Sequence, residues 1–322
     1  MLNIKKTFLN REKWVNTRSS TIFPIYLNSN NDQILVFQNY WKWKSNIKNI
    51  VFILTLRYQN SDIYNQIRYK VKSHNEISIK KFFKIKKNFV GQLECEIESS
   101  ENLKFPYPAL LLFYRNINGF ESVAHSAGRH LNSNENISSK YSESNFYAII
   151  NKDFTPIVHI FSGKNINRKK NFIDIKIYDQ NNILVVTKRV KNLFKKPFSS
   201  KIIYIKNYLS KSELKKVFDK KIFIKFDFDI INIFGRLIVG NYDKKNDAFF
   251  VTHKFRVHKS KDKNLIKPNK KYNSTGYLPL LNCEPLKLTA KSYPTNAPCK
   301  TEYNNLIFDK RKIHKETKTL IT

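Results

Sequence analysis

The sequence is poor in glycine and cysteine, and each shortage excludes a class of site. With 7 glycines in 322 residues, the chain has no glycine-rich loop of the kind that wraps a phosphate group. The three cysteines, Cys95, Cys283 and Cys299, are widely spaced and form no C-x-x-C pair. Neither a zinc site nor a disulfide framework is therefore indicated. We expect Cys95 to be a small buried residue of a strand.

Long apolar segments are also missing. No apolar run approaches the roughly 20 residues that a helix needs to span a bilayer. The basic N-terminus has neither the apolar core nor the small-residue cleavage site of a signal peptide. We therefore expect no transmembrane segment and a location in the reducing cytoplasm. No cofactor and no metal site is predicted.

Acidic residues are few, since 25 Asp and Glu face 59 Lys and Arg, which gives a formal net charge of +34. One interpretation is a polyanion partner, either a nucleic acid or an anionic surface. The other is a drift in composition, because Lys, Asn and Ile are abundant together while Gly and Ala are scarce. Lysine is spread almost evenly along the chain, which favours the second interpretation.

Aromatic residues are plentiful, and 25 Phe and 17 Tyr are enough for hydrophobic cores. A hairpin-like stretch from Tyr107 to His130 returns 128 residues later as Gly235 to His258. Five residues of the first copy match the second without a gap. They are Tyr114, Asn118, Val123, His125 and His130, matched by Tyr242, Asn246, Val251, His253 and His258.

Short strand patterns separated by turn residues fill both copies. From Gln92 to Glu98, Leu93, Cys95 and Ile97 alternate strictly with three glutamates, which we expect to face solvent. About seven such strands in each copy predict an all-β protein of tandem antiparallel β-sandwich repeats, immunoglobulin-like or jelly-roll-like. Very little helix is predicted. Ser210 and Glu213 form a capping box that opens one short helix, ending near Phe218.

The repeat predicts the organisation of the chain. The expected segments are a polar arm (1–20), a first sandwich unit (21–130), a Ser- and Asn-rich linker (131–145), a second unit (146–258), a basic linker (259–275) and the start of a third unit (276–322). The third unit is inferred because Tyr277 to Ser292 resembles Tyr147 to Ser162. A fragment of a unit cannot close its own core. Either it pairs with the second unit or the chain is a truncated three-unit protein, and the second alternative is slightly favoured.

Histidine forms the only polar pattern that recurs. His125 with His130, and His253 with His258, allow a metal or anion site in each unit, because histidine is the commonest metal ligand. Residues five apart on a straight strand face opposite ways, however, and no Asp, Glu or Cys recurs beside them. This favours hydrogen-bonded histidines at the rim of a sheet.

Two of the three tryptophans lie in the stretch NYWKWK, residues 39–44. On an extended chain Trp41 and Trp43 share one face. An exposed pair of this kind stacks on a sugar ring or a base, whereas an inward pair fills the core. The candidate binding residues are Trp41, Trp43, His125, His253, Tyr114 and Tyr242.

No catalytic set is recognised. Ser126 follows His125 directly, and no nucleophile elbow surrounds it. We expect a non-catalytic binding or assembly module for a carbohydrate or a protein partner, and the exposed sandwich edges allow a homo-oligomer. One alternative is a nucleic-acid or anionic-surface binder driven by charge, whose affinity falls with salt. Another is an enzyme with a site at the interface of the two units, using His125 or His253.

Overall fold

The computed structural model of the chain contains two compact regions, Met1–Val257 and His258–Thr322. The residues that it describes are 17–71, 74–103, 110–119, 121–125, 141–162, 166, 169, 171–179, 181, 183–229, 236–255, 257–258, 300–309 and 312–321. Strands dominate them, which confirms the all-β class. The first compact region holds two β-sandwiches.

The first sandwich has eight strands in two antiparallel sheets. The strands are β1 (Arg18–Leu27), β2 (Asn31–Gln38), β3 (Ile50–Tyr58), β4 (Ile63–Lys70), β5 (His74–Ser78), β6 (Phe89–Ser99), β7 (Leu110–Asn116) and β8 (Glu121–His125). Their order is β1-β6-β3-β4 in one sheet, called sheet A, and β5-β2-β7-β8 in the other, called sheet B. Only β3–β4 and β7–β8 connect sequential neighbours within one sheet.

The second sandwich has eight corresponding strands and one short additional strand, β17 (Val257–His258). The eight are β9 (Tyr141–Ile149), β10 (Phe154–Phe161), β11 (Phe172–Tyr178), β12 (Leu184–Lys191), β13 (Ser200–Tyr204), β14 (Lys221–Asp229), β15 (Arg236–Asp243) and β16 (Ala248–Phe255). Sheet A′ has the order β17-β9-β14-β11-β12, in which the two-residue strand β17 lies beyond β9, and sheet B′ has the order β13-β10-β15-β16. Apart from β17, the second sandwich has the strand order of the first.

Helices are short and few among the described residues. They are α1 (Tyr40–Ser45), α2 (Ile79–Phe82), a 3₁₀ turn (Ile205–Tyr208) and α3 (Lys211–Val217). None of these described helices has the length and apolar character needed to cross a membrane. The predicted capping box of α3 is confirmed, because Glu213 N donates to Ser210 Oγ and Ser210 N donates to the Glu213 carboxylate. Hydrogen bonds from Lys188 and Ser210 lower the pKa of Glu213 to about 2.

Strand β6 confirms half of its predicted pattern. Leu93, Cys95 and Ile97 are fully buried in the core, and burial raises the pKa of the Cys95 thiol. The prediction that its glutamates are solvated is wrong for Glu94 and Glu96, which are only 6% and 8% exposed. Arginines on neighbouring strands balance their charge. Arg18 lies 2.6 Å from Glu96, and Arg57 lies 3.5 Å from Glu94.

The turn that follows the first strand is built in the same way in both sandwiches. The side chain of Asn28 accepts hydrogen bonds from the backbone of Asn30 and Asn31, and the side chain of Asn151 accepts from the backbone of Asp153 and Phe154. A lysine amine closes each turn. Lys80 donates to the carbonyl of Asn28, and Lys206 donates to the carbonyl of Asn151.

The hairpin that defines the repeat differs by one residue between the sandwiches. Arg115 pairs with Glu121 in the first sandwich, but Tyr242 pairs with Phe249 in the second, so the second turn is one residue longer. His125 and His253 keep the same place. The predicted match of Tyr114 with Tyr242 is wrong, because Arg115 occupies the position of Tyr242. An ungapped match cannot show an insertion that a turn absorbs.

The boundaries of the sandwiches differ in part from the prediction. Residues 18–20 belong to β1 rather than to the polar arm, since they pair with β6, and residues 141–145 belong to β9 rather than to the linker, since they pair with β14. The first compact region ends within β17 (Val257–His258). In the second compact region, β18 (Lys300–Asp309) and β19 (Lys312–Ile321) form an antiparallel ladder. The predicted arm up to residue 16, the linker residues 131–140 and the segments 259–275 and 276–299 lie outside the described residues.

Candidate functional site at the junction of the two sandwiches

Sheet B′ is buried on both of its faces. Along β10, Val158 and Ile160 point into the core of the second sandwich, whereas Ile157 and Phe161 belong to the hydrophobic cluster of the first. Other residues on the outer face of sheet B′, which points away from the core of the second sandwich, also belong to the hydrophobic cluster of the first sandwich. They are Ile202, Tyr204, Ile238, Tyr242, Phe249 and Val251. The first sandwich therefore covers the outer face of sheet B′ with a continuous apolar core.

A histidine and a tyrosine meet inside this junction. Tyr26 Oη of β1 and His159 Nδ1 of β10 share a hydrogen bond of 2.5 Å. His159 is 0% exposed, and the ring of Phe249 stacks on Tyr26 at 4.2 Å. Burial lowers the pKa of His159 to about 3, so its ring is neutral near pH 7. Among the described residues, His159 Nε2 has no hydrogen-bond partner.

One aspartate of the β15–β16 turn is held by asparagines of the first sandwich. Asn28 Nδ2 donates to the Asp247 carboxylate at 2.8 Å, and Asn31 Nδ2 donates to the Asp247 carbonyl at 2.7 Å. Asn116 Nδ2 also donates to that carbonyl, at 3.1 Å. Within the second sandwich, Tyr242 Oη donates to the carboxylate at 2.8 Å. The network fixes the end of the hairpin against the turns of the first sandwich.

The edges of sheets B and B′ meet along β8 and β16. Ser122 Oγ donates to the carbonyl of Phe249 at 2.6 Å and accepts from the backbone of Val251 at 3.1 Å. At the same edge, the rings of His125 and His253 lie 5.7 Å apart in an edge-to-face arrangement. The two histidines of the sequence repeat are thus neighbours at the junction.

The far end of sheet B′ is tied to sheet A. The backbone of Ser200 donates to the carbonyl of Gln59 at 2.9 Å. The Gln92 side chain donates to the carbonyl of Phe198, and Arg57 lies 6.0 Å from the centre of the Phe198 ring. Contacts at both ends and at the centre make the two sandwiches one unit.

The extended geometry predicted for residues 39–44 is wrong, because Tyr40–Ser45 is the helix α1, capped by the side chain of Asn39. Residues two apart on a helix point in different directions. Trp41 is 0% exposed and packs against Tyr40, whereas Trp43 is 59% exposed. The two rings therefore do not form one stacking surface. Binding by either of them stays a prediction.

The two candidate tyrosines have different surroundings. Tyr114 is buried in the core of the first sandwich, where its hydroxyl donates to the carbonyl of Pro24 at 3.2 Å. Tyr242 is half-buried in the junction and contacts the ring of Tyr204 edge-on at 5.9 Å. Both hydroxyls are held by the fold. Their role in binding a ligand stays a prediction.

The structure brings together two of the predicted histidines, His125 and His253. The described residues contain no group of three or more His, Cys, Asp or Glu side chains able to hold a metal ion. The side chains of His130 and His258 lie outside the described residues. An enzymatic site at this interface stays a prediction.

A polar cleft of about 460 Å3 lies beside the Asn28 turn. Its charged lining residues already have hydrogen-bond partners within the first sandwich. Arg115 Nε lies 2.8 Å from the Glu121 carboxylate, and Asp32 accepts a hydrogen bond of 2.6 Å from the hydroxyl of Ser78. With its charges satisfied in this way, the cleft offers no distinct chemistry.

Sequence reasoning missed His159, Tyr26 and Asp247. One available signal is the sequence of β10, FTPIVHIF, which is apolar at successive positions instead of alternating. A continuous apolar run is typical of a strand with both faces buried. No comparable signal marks Asp247, because its partners come from distant turns.

No family model, no curated protein and no solved structure matches the chain.

Proposed function

We propose that the protein is a non-catalytic assembly module whose partner is another protein, bound through the faces and edges of its sandwiches. The junction is the observation that carries this proposal. A sheet face of the second sandwich seats on the first through a continuous apolar core, and side chains of the first sandwich bond to the backbone of the second at the rim. An apolar centre with a polar rim is also the usual anatomy of a protein interface.

The polar groups of the junction support a structural role. Burial strongly lowers the pKa of His159, yet His159 is fully enclosed and bonded to Tyr26, so no substrate reaches it while the sandwiches are together. A carbohydrate partner has less support than a protein. Trp43 is exposed alone, and a sugar site built on the pair would need Trp41 as well.

Cross-linking of the intact chain in the cells that produce it tests the proposal. An amine-reactive cross-linker should join lysines beside the sandwich faces, such as Lys221 and Lys225, to a protein, either another species or another copy. Ultraviolet cross-linking to nucleic acid and binding to an oligosaccharide panel are the parallel measurements. Reproducible attachment to nucleic acid or oligosaccharide, without protein cross-links, would contradict the proposal.

A further inference from the structure

The surface of the first sandwich that carries the second has a counterpart on the second sandwich. Tyr26 lies two residues before the turn residue Asn28, and Ile149 lies two residues before Asn151, which forms the same turn. Gln92 of β6 pairs with Pro24 on β1 and with Arg57 on β3. In the same way, Phe223 of β14 pairs with Tyr147 on β9 and with Tyr178 on β11. The resulting correspondences are Pro24 with Tyr147, Tyr26 with Ile149, Gln92 with Phe223, and Arg57 with Tyr178.

The counterpart is aromatic and partly open to solvent. Tyr147 and Ile149 are 39% and 37% exposed, whereas Tyr26 is only 3% exposed beneath the second sandwich. Phe223 is only 6% exposed, and its ring lies 5.2 Å from that of Tyr147 and 6.0 Å from that of Tyr178. We call Tyr147, Ile149, Tyr178 and Phe223 the Tyr147 patch. It is more apolar than the surface that already holds a sandwich.

Lysines border the Tyr147 patch. Ile149 pairs with Lys221, and Asn145 pairs with Lys225. The corresponding positions on the first sandwich carry Val90 and Glu94, which pair with Tyr26 and Ile22. The rim of the Tyr147 patch is therefore positive where the rim of its counterpart is neutral or negative, and it favours a partner with carboxylates around an apolar centre.

A face with those properties lies on the first sandwich. The outer face of sheet B corresponds to the covered face of sheet B′. In sheet B, Leu111 pairs with Val36 on one side and with His125 on the other. In sheet B′, Ile238 pairs in the same way with His159 and His253.

The centre of the outer face of sheet B is apolar and its rim includes carboxylates. We call this the Val123 face, formed by Ile34, Val36, Leu111, Phe113 and Val123, with Asp32, Glu76, Arg115 and Glu121 at the rim. Arg115 pairs with Glu121, so Asp32 and Glu76 give the rim its net negative charge.

The Val123 face is partly accessible. Val123 is 42% exposed, and Leu111, Val36 and Phe113 are half-buried. The face is also continuous with the existing junction, since β8 lies along β16 at its edge. One chain thus carries an apolar face with an acidic rim and an apolar patch with a basic rim, on different sandwiches.

We propose that the Tyr147 patch binds the Val123 face of a second copy of this chain. Within one chain, the outer face of sheet A packs on the outer face of sheet B′. The proposed contact would pack the outer face of sheet A′ on the outer face of sheet B of the next chain in the same way. Because the two surfaces differ, the association is heterologous and extends head to tail instead of closing as a symmetric dimer. This inference rests on the proposed function and names its partner.

Three variants of the full chain test it. Ile149→Glu places a carboxylate in the Tyr147 patch, where it repels the acidic rim, and Val123→Lys places an amine in the Val123 face, where it repels the basic rim. Trp43→Glu is the matched control, because Trp43 is exposed on α1 and belongs to neither surface. Sedimentation velocity over a wide range of concentrations measures assembly, and circular dichroism checks the fold of each variant.

The wild-type chain and Trp43→Glu should form species that grow beyond a dimer with concentration. Ile149→Glu and Val123→Lys alone should each weaken association at least about tenfold, since a charge buried without a partner is costly at an interface. An equimolar mixture of the two variants should form a dimer and nothing larger. Each variant retains one intact surface, so only one contact is available.

A monomeric wild-type chain at every concentration would overturn the inference, as would a mixture of the two variants that stays monomeric. A wild-type dimer that does not grow would show symmetric pairing and would also overturn it. A monomer whose unfolding midpoint falls in Ile149→Glu would mean that the chain itself covers the Tyr147 patch, which overturns it as well. None of these results removes cross-links to a different protein, so the proposed function is judged separately.

Discussion

Sheets B and B′ hold the same place in their sandwiches but have different surroundings. The outer face of sheet B′ is covered by the first sandwich, whereas the outer face of sheet B is partly open. Where sheet B′ has Ile202, Tyr242 and Phe249, sheet B has Glu76, Arg115 and Glu121. A few rim positions therefore decide whether a sheet of this design is an interior layer or a surface.

Gly240 gives the largest test of this comparison. A Cβ atom at this position would lie 1.9 Å from the carbonyl oxygen of Phe250, whereas the corresponding position of sheet B carries Phe113. We expect Gly240→Ala to lower the free energy of unfolding by about 3 kcal/mol or more, because backbone must shift inside a layer packed on both sides. Urea unfolding measures the loss.

Gly119→Ala is the control for that change. Gly119 has φ +84°, but a Cβ atom added to it would meet no other atom within 4 Å, so only backbone strain opposes the substitution. It should cost about 1–2 kcal/mol. An equal or larger loss for Gly119→Ala than for Gly240→Ala would mean that sheet B′ is not tightly packed around Gly240.

The buried histidine should make the junction sensitive to acid. The pKa of His159 falls from 6.5 to about 3 on folding, so the unfolded chain binds the proton more readily between these values. The stabilisation is complete above pH 6.5 and is lost as the pH falls towards 3, by at most about 1.4 kcal/mol per pH unit. Urea unfolding of wild type and His159→Gln at stepped pH should show the shallower slope in the variant. Parallel curves would contradict this expectation.

Removing the hydroxyl of Tyr26 should destabilise the junction by an intermediate amount. Tyr26→Phe leaves Nδ1 of the buried His159 without its partner, and we expect a loss of about 1–3 kcal/mol in unfolding free energy. Tyr69→Phe is the matched control, since the buried Tyr69 hydroxyl has no hydrogen-bond partner among the described residues. That change should be neutral or slightly stabilising. Similar losses in both variants would show that the Tyr26 bond contributes nothing specific.

The smallest expected effect concerns the edge where the two sheets meet. Ser122→Ala removes two hydrogen bonds to the backbone of β16 and should cost about 1 kcal/mol. Ser29→Ala alters an exposed hydroxyl that, among the described residues, bonds only to its neighbour Asn30, and it should stay within about 0.5 kcal/mol of wild type. Thermal unfolding compares the two. An unchanged midpoint for Ser122→Ala would mean that the edge contact is held by apolar packing alone.

Local patterns in the sequence are sufficient for the fold class. Strict alternation at Leu93, Cys95 and Ile97 follows from the pleat of a strand, and the capping box at Ser210 needs only residues three apart. These predictions depend on neighbours along the chain. They hold because the interactions that create them are equally local.

The junction between the two sandwiches cannot be predicted from local sequence patterns. Helix α1 is not predicted from the sequence, because the alternating aromatic and lysine side chains of residues 39–44 indicate a strand. The only local signal for a helix is the N-cap residue Asn39. Glu94 and Glu96 are expected in solvent because the arginines that balance them come from other strands. The pairing of Tyr26 with His159 joins residues 133 positions apart. Contacts of that range depend on how whole sheets stack, and strand periodicity carries no information about it.

The meeting of β8 with β16 also has a consequence for biosynthesis. Strand β8 leaves the ribosome about 130 residues before β16 is complete, which at ordinary elongation rates leaves it without that neighbour for roughly 7 to 26 seconds. During this interval the nascent first sandwich presents an unprotected edge, and such edges recruit strands of other chains. Slow translation between the two strands should therefore favour misassembly on polysomes, whereas a chaperone bound to the emerging chain should suppress it.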